Sequence, residues 1–177
     1  AMSEHTLKLL ITKEEIERKV RELACRISRD YDGTRPVLLG VLKGAFVFLA
    51  DLIRQLKIDA AVDFIQVSSY GSGTVSSGMC EIIKNLRTDI RDKDVLIVED
   101  IVDTGATFLF LLEHVRQQQP RSLKVCALLV KQTGQAGGVP IDYCGFIINN
   151  EFVVGYGLDC DERHRCLPGI YALRNQD

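Results

Sequence analysis

The chain has 177 residues, a formal net charge of −2, 46% hydrophobic and 26% charged residues and no Trp. This is the composition of one ordinary mixed domain, long enough to bury roughly two-thirds of its unfolded surface. Lys and Arg number 22 against 24 Asp and Glu, so there is no basic excess for a broad grip on nucleic acid or anionic lipid, and no apolar run approaches the roughly 20 residues of a membrane span.

Six cysteines at 25, 80, 126, 144, 160 and 166 contain no C-x-x-C pair, which argues against a disulfide framework or a zinc site. Cys126 lies in the apolar run Lys124–Val130 and reads as a small buried hydrophobe. The polar start Ala1-Met2-Ser3-Glu4 does not read as a secretory leader, and a cytoplasmic location is expected.

The first element that the sequence marks out clearly is a helix. Thr12 and Glu15 have capping-box spacing, Ile11 and Ile16 fit a hydrophobic staple, and Ile16, Val20, Leu23, Ala24 and Ile27 recur at helical intervals. Tyr31-Asp32-Gly33 marks its end. Pro36–Val41 then reads as a short buried strand, Lys43-Gly44 as a tight loop and Ala45–Leu56 as a helix. The same order recurs as strand Val95–Glu99, loop Asp100–Thr107 and an amphipathic helix reaching about Gln119, followed by a third strand at Leu123–Val130. Strands apolar on both faces and separated by helices predict an open, mostly parallel α/β sheet. Ser68–Gly78 is rich in small residues and reads as a lid or a plain connection. Short runs at Tyr143–Ile148 and Phe152–Tyr156 are expected to form an appendage over the sheet's edge.

The chemistry is concentrated at Glu99-Asp100-Ile101-Val102-Asp103-Thr104-Gly105-Ala106-Thr107. Three carboxylates crowd the carboxyl end of a buried strand, where open α/β sheets bind ligands. Such crowding is unfavourable unless a cation or a hydroxyl-rich ligand relieves it. Glu99 and Asp100 suit sugar hydroxyls or a hydrated magnesium ion, and Thr104, Gly105 and Thr107 can wrap a phosphate at a helix start. The plainer reading has Asp103 and Thr104 capping the helix and Glu99 paired with a lysine. Neither G-x-x-x-x-G-K-[ST] nor G-x-G-x-x-G is present.

Val98–Thr107 resembles the phosphoribosyl-pyrophosphate (PRPP) motif of the type I phosphoribosyltransferases. Leu42-Lys43-Gly44, Ser69-Tyr70-Gly71, Lys131 and Phe152–Asp159, in that order, resemble the hypoxanthine-guanine branch. The resemblance implies the type I phosphoribosyltransferase fold: an open, mostly parallel twisted α/β sheet flanked by helices, with a small hood and a flexible lid loop. It implies one domain over residues 1–177, with a core sheet at about 33–135, a hood from the N-terminal segment and about 140–177, and a lid at 68–80.

The implied reaction transfers the 5-phosphoribosyl group of PRPP to hypoxanthine or guanine, giving IMP or GMP and pyrophosphate. Glu99 and Asp100 would hold the ribose hydroxyls, directly or through Mg2+, with Asp159 completing the metal site. Asp103 would manage the proton at purine N7 as general base, and Asp103, Thr104, Gly105, Ala106 and Thr107 would form the 5-phosphate loop. Lys43, Gly44 and Arg165 would hold pyrophosphate, often in relatives through a strained cis peptide at the Lys43-Gly44 loop. The purine would meet Lys131, Phe152, Val153 and Asp159. Lys131 donates to a 6-oxo group and has nothing to accept from a 6-amino group, so adenine is disfavoured. Ser69 and Tyr70 would carry the lid that excludes water.

The family suggests a homodimer or homotetramer. Ala106, Glu81 and Cys160 depart from its frequent residues, Glu81 by a reversal of charge. Two rival readings are a PRPP-sensing regulator that binds nucleic acid, disfavoured by the missing basic excess, and a transferase preferring xanthine or adenine.

Overall fold

The computed structural model describes residues 5–70, 79–133 and 137–175. Strand β1 (His5–Ile11) leads into α1 (Lys13–Asp30), followed by β2 (Val37–Leu42), α2 (Phe46–Gln55), β3 (Ala61–Tyr70) and β4 (Met79–Lys84). Then come β5 (Asp94–Val102), α3 (Ala106–Arg116), β6 (Ser122–Lys131), β7 (Tyr143–Ile148), β8 (Val153–Val154) and β9 (Ile170–Asn175).

A six-stranded sheet has the order β4-β3-β2-β5-β6-β7, with all neighbours parallel except β3 and β4. Both faces are covered. Leu96 and Val98 of β5 join α1 and α2 in one core, while Val95 and Ile97 join Phe108, Leu111, Leu112 and Val115 of α3 in the other. Cys126 is fully buried, as its apolar context predicts.

Helix α1 forms where expected. The Thr12 hydroxyl accepts from the Glu15 N–H at 3.1 Å, the Glu15 carboxylate accepts from the Thr12 N–H at 2.7 Å, and all five periodic apolar residues are buried. Helix α3 stops at Arg116, earlier than the sequence pattern suggests. Gln119 lies at φ 56° and precedes Pro120, whose ring disfavours helical geometry in the residue before it.

The expected appendage needs correcting. Tyr143–Ile148 is no part of a hood; it is the edge strand of the main sheet, paired in parallel with β6 from Cys126↔Tyr143 to Lys131↔Ile148. Pairing there satisfies the backbone edge that β6 would otherwise leave open, and buried Tyr143 donates to Asp30 at 2.7 Å across to the end of α1. The small antiparallel sheet is instead β1-β9-β8, and its Ile11, Val153 and Ile170 enter the same core as α1 and α2.

The topology locates the crevice. From β2 the chain crosses through α2 to β3 on one side, and from β5 it crosses through α3 to β6 on the other. The carboxyl ends of β2 and β5 therefore flank the point where the winding reverses, where open α/β sheets bind ligands.

Candidate active site

Two adjoining clefts open at that point. One, of about 260 Å³, is lined by Leu42 at the end of β2, by Gly44 just after it and by Glu99 through Gly105 and Thr107 from β5 into α3. The second, of about 280 Å³, is lined by Lys43, Gly44, Asp100, Asp103, Lys131, Phe152, Val153, Asp159 and Arg165. They share Gly44, Asp100, Ile101 and Asp103. Residues from five separate stretches of sequence thus meet in one continuous crevice.

At the β2 end, the Leu42–Lys43 peptide is cis. The backbone lies so close to β5 that a Cβ on Gly44 would sit 2.7 Å from Asp100 Cγ and overlap Oδ2, so only glycine lets this loop approach the carboxylate.

At the β5 end, Glu99 is 9% exposed and its carboxylate accepts from the Asp100 N–H at 2.9 Å. Burial, and then the neighbouring Asp100 charge, push the Glu99 carboxyl well above the usual carboxylate range. No lysine pairs with it among the described residues, which removes the plainer reading of this glutamate. Asp100 Oδ1 accepts from the Ile101 N–H at 2.8 Å.

The loop into α3 also differs from a side-chain-capped helix start. Gly105 is the N-cap residue at φ 90° and no side chain caps the first turn, so Asp103 and Thr104 are not capping residues. A Cβ at Gly105 would lie 2.6 Å from Val139 Cγ2, so both backbone sign and space select glycine. The uncapped first-turn N–H groups and the positive end of α3 are suited to a phosphate. Ala106 opens α3 and is exposed, so a cradle built from backbone N–H groups would not depend on its side chain.

Asp103 and Lys131, read from the sequence as separate contributors, form one unit. Lys131 Nζ, on a side chain 9% exposed, donates to Asp103 Oδ2 at 3.0 Å, and Asp103 itself is 57% exposed. The Thr133 hydroxyl donates to the other Asp103 oxygen at 3.4 Å. The buried ammonium is thereby paired, and the carboxylate faces the crevice. Phe152 is about half exposed and Val153 is buried on β8, the edge strand of the small sheet.

Arg165 donates from Nη1 to the Gly157 carbonyl at 2.7 Å and from Nη2 to Asp159 and Glu162, each at 3.2 Å. Lys43 Nζ reaches the same Glu162 oxygen at 2.9 Å. These hydrogen bonds, from Lys43 first and then Arg165, hold the Glu162 carboxyl below the usual range. Neither Glu162 nor Thr133 is evident from the sequence, because Lys43 lies 119 residues from Glu162 and Asp103 lies 30 residues from Thr133.

Among the described residues no group of three or more His, Cys, Asp or Glu is placed to hold one ion. Glu99 and Asp100 stand together, while Asp159 is engaged by Arg165 and by the Glu162 N–H at 2.9 Å. Glu99 and Asp100 themselves fit a hydrated magnesium ion, being hard oxygen donors whose mutual repulsion a cation relieves. Of the expected lid, residues 71–78 lie outside the described residues; Ser69 and Tyr70 end β3, with backbones paired to Cys80 and Met79. Glu81 is exposed on β4 opposite Ser68.

The phosphoribosyl transferase domain model matches residues 10–161. A hypoxanthine-guanine phosphoribosyltransferase of Bacillus subtilis is 45% identical over 174 residues, covering 98% of this chain and 97% of that protein. The bifunctional protein TilS/HprT of Listeria innocua is 45% identical over 167 residues; the match takes in 94% of this chain and about a quarter (26%) of that longer protein. Among solved structures, a hypoxanthine-guanine phosphoribosyltransferase of Bacillus anthracis superposes with a TM-score of 0.89 at 45% identity, covering 94% of this chain and 99% of that one. With its motifs gathered in one crevice and its sequence matched nearly end to end, the chain belongs to the phosphoribosyl transferase domain family.

Proposed function

We propose that this chain is a purine-salvage transferase, moving the 5-phosphoribosyl group of PRPP to hypoxanthine or guanine with release of pyrophosphate. The observation that carries the reading is the shared wall of the two clefts. Gly44, Asp100 and Asp103 border both the uncapped start of α3 and a pocket holding Lys131, Phe152 and Val153. A ribose between them has its 5-phosphate at α3, its hydroxyls at Glu99 and Asp100, and its anomeric carbon towards the base.

Transfer builds oxocarbenium-like charge on the ribose and negative charge on the leaving pyrophosphate. Lys43 and Arg165, with the Lys43-Gly44 backbone, receive the leaving group. Lys131 donates to the 6-oxo oxygen, and Asp103, held beside it, takes or relays the N7 proton. Phe152 stacks on the purine, and the Val153 main chain meets its hydrogen-bonding edge. Asp159 assists at the same edge, and Ser69 and Tyr70 belong to the segment that closes over the reacting atoms. Glu99 and Asp100, with Asp159 nearby, would hold magnesium, which would supply charge neutralisation for PRPP and pyrophosphate. The reading includes a cytoplasmic homodimer or homotetramer, tested by light scattering, and no nucleic-acid partner; among the described residues no helix is long and apolar enough to cross a membrane.

The deciding assay follows pyrophosphate release from PRPP and magnesium with hypoxanthine, guanine, xanthine or adenine. Turnover with hypoxanthine or guanine and none with adenine is expected. No turnover with any 6-oxopurine overturns the proposal.

A further inference from the structure

The loop between β8 and β9 contains a side chain that the transfer reaction itself does not require. Cys160 and Arg163 bond to each other through both backbone N–H groups, at 3.1 and 2.9 Å. Between them Asp161 and Glu162 lie at φ 49° and 59°. This is a tight turn with two left-handed residues, whose second position favours glycine. Glutamate there is unfavourable for the backbone, and its side chain makes contacts that glycine cannot. One oxygen, Glu162 Oε1, accepts from Lys43 at 2.9 Å and from Arg165 at 3.2 Å. These are the two cations assigned to pyrophosphate.

We propose that Glu162 is a positioning residue that competes with pyrophosphate for Lys43 and Arg165, holding both cations together while weakening the grip on the product. The inference rests on the pyrophosphate role of Lys43 and Arg165 and extends it. Glu162 and Lys43 are both more than half exposed, so their pair is weak and readily exchanged for another anion. Arg165 is more enclosed, at 18% exposed, and stays anchored by the Gly157 carbonyl and Asp159 when Glu162 lets go. Its Nε is buried with no partner among the described residues, leaving a donor in reserve beside the exchanging Nη2. Pyrophosphate thus enters by displacing one carboxylate from a preassembled cation pair. On departure, that carboxylate takes the two cations back.

The test is calorimetric titration of the intact protein with magnesium pyrophosphate, comparing wild type, Glu162→Gln, Glu162→Gly and Lys43→Met. Two exposed ion pairs set the scale, so both Glu162 variants are expected to bind pyrophosphate about three- to tenfold more tightly at ~0.05 M salt, with the gap narrowing at ~0.5 M. In the reverse reaction their KM for pyrophosphate falls while the KM for IMP is unchanged. Glu162→Gly separates charge from turn geometry, since glycine suits the left-handed position and removes the carboxylate. Unchanged or weaker pyrophosphate binding in both variants, with binding weakened in Lys43→Met, overturns the role of Glu162 and leaves the pyrophosphate site standing. Unchanged binding in Lys43→Met overturns the pyrophosphate assignment itself.

Discussion

Gly44→Ala tests whether the close approach of two strand ends organises the site. The added Cβ would lie 2.7 Å from Asp100 Cγ, whereas non-bonded carbons settle at ~3.5–4.0 Å. Either the Asp100 carboxyl or the Lys43-Gly44 backbone therefore retreats by roughly 1 Å, which shifts the wall that the two clefts share. Overpacking of this kind costs about 1–3 kcal/mol of stability. Misplacing a substrate-orienting group by 1 Å costs on the order of 10²-fold in rate.

Two readouts follow, a thermal or urea melt and kcat/KM for PRPP at saturating hypoxanthine. The double variant Gly44→Ala/Asp100→Ala separates clash from chemistry. Removing the carboxylate recovers most of the lost stability, giving a clear coupling energy between the two sites, and activity stays low because the proposed ribose contact is gone. A Gly44→Ala variant with unchanged stability and with kcat/KM within about twofold of wild type refutes the reasoning, since it means that the Asp100 carboxyl swings into the cleft at no cost.

Asp103→Ala is expected to lower kcat by roughly 10²- to 10⁴-fold, the range for a lost acid–base group, and to alter PRPP affinity much less; equal losses in steady-state kcat and in PRPP binding would mark Asp103 as structural. Asp94 accepts from Arg121 and from Ser122, the latter at 2.6 Å, and is 12% exposed; these bonds, Arg121 first, hold its carboxyl below the usual range. Because the folded-state value is depressed, its contribution is present above the unfolded carboxylate value and is lost as pH falls through the folded one. Asp94→Asn should cost about 1–2 kcal/mol at neutral pH, where hydrogen bonds to a charge are lost, and less in strong acid; urea melts at both pH values showing a constant difference would contradict this. Thr12→Ala breaks the capping box and should cost about 1 kcal/mol in the same melts; no change would mean that α1 is held by its buried face alone.

The parallel core was legible because its strands are buried on both sides. Val95–Val98 and Val125–Leu129 are continuous apolar runs for that reason, and the helix patterns between them carry the right period. The outer strands were less legible. β3 and β4 mix apolar, charged and small residues, as a partly solvated antiparallel pair does, and β7 looked like a separate appendage because short apolar runs do not reveal their partner. The loop into α3 and the acidic pair could be found locally, since both lie within nine consecutive residues.

Sequence alone therefore determined the α/β class, the capped first helix and the identities of the side chains that crowd the strand end, all properties of neighbouring residues. Tertiary structure decided which of them meet. It set Asp103 against Lys131, Gly44 against Asp100, and Glu162 between Lys43 and Arg165. Those pairings depend on strand order and on the reversal of winding between β2 and β5. No local pattern encodes either, because both are selected by burial of two whole sheet faces at once.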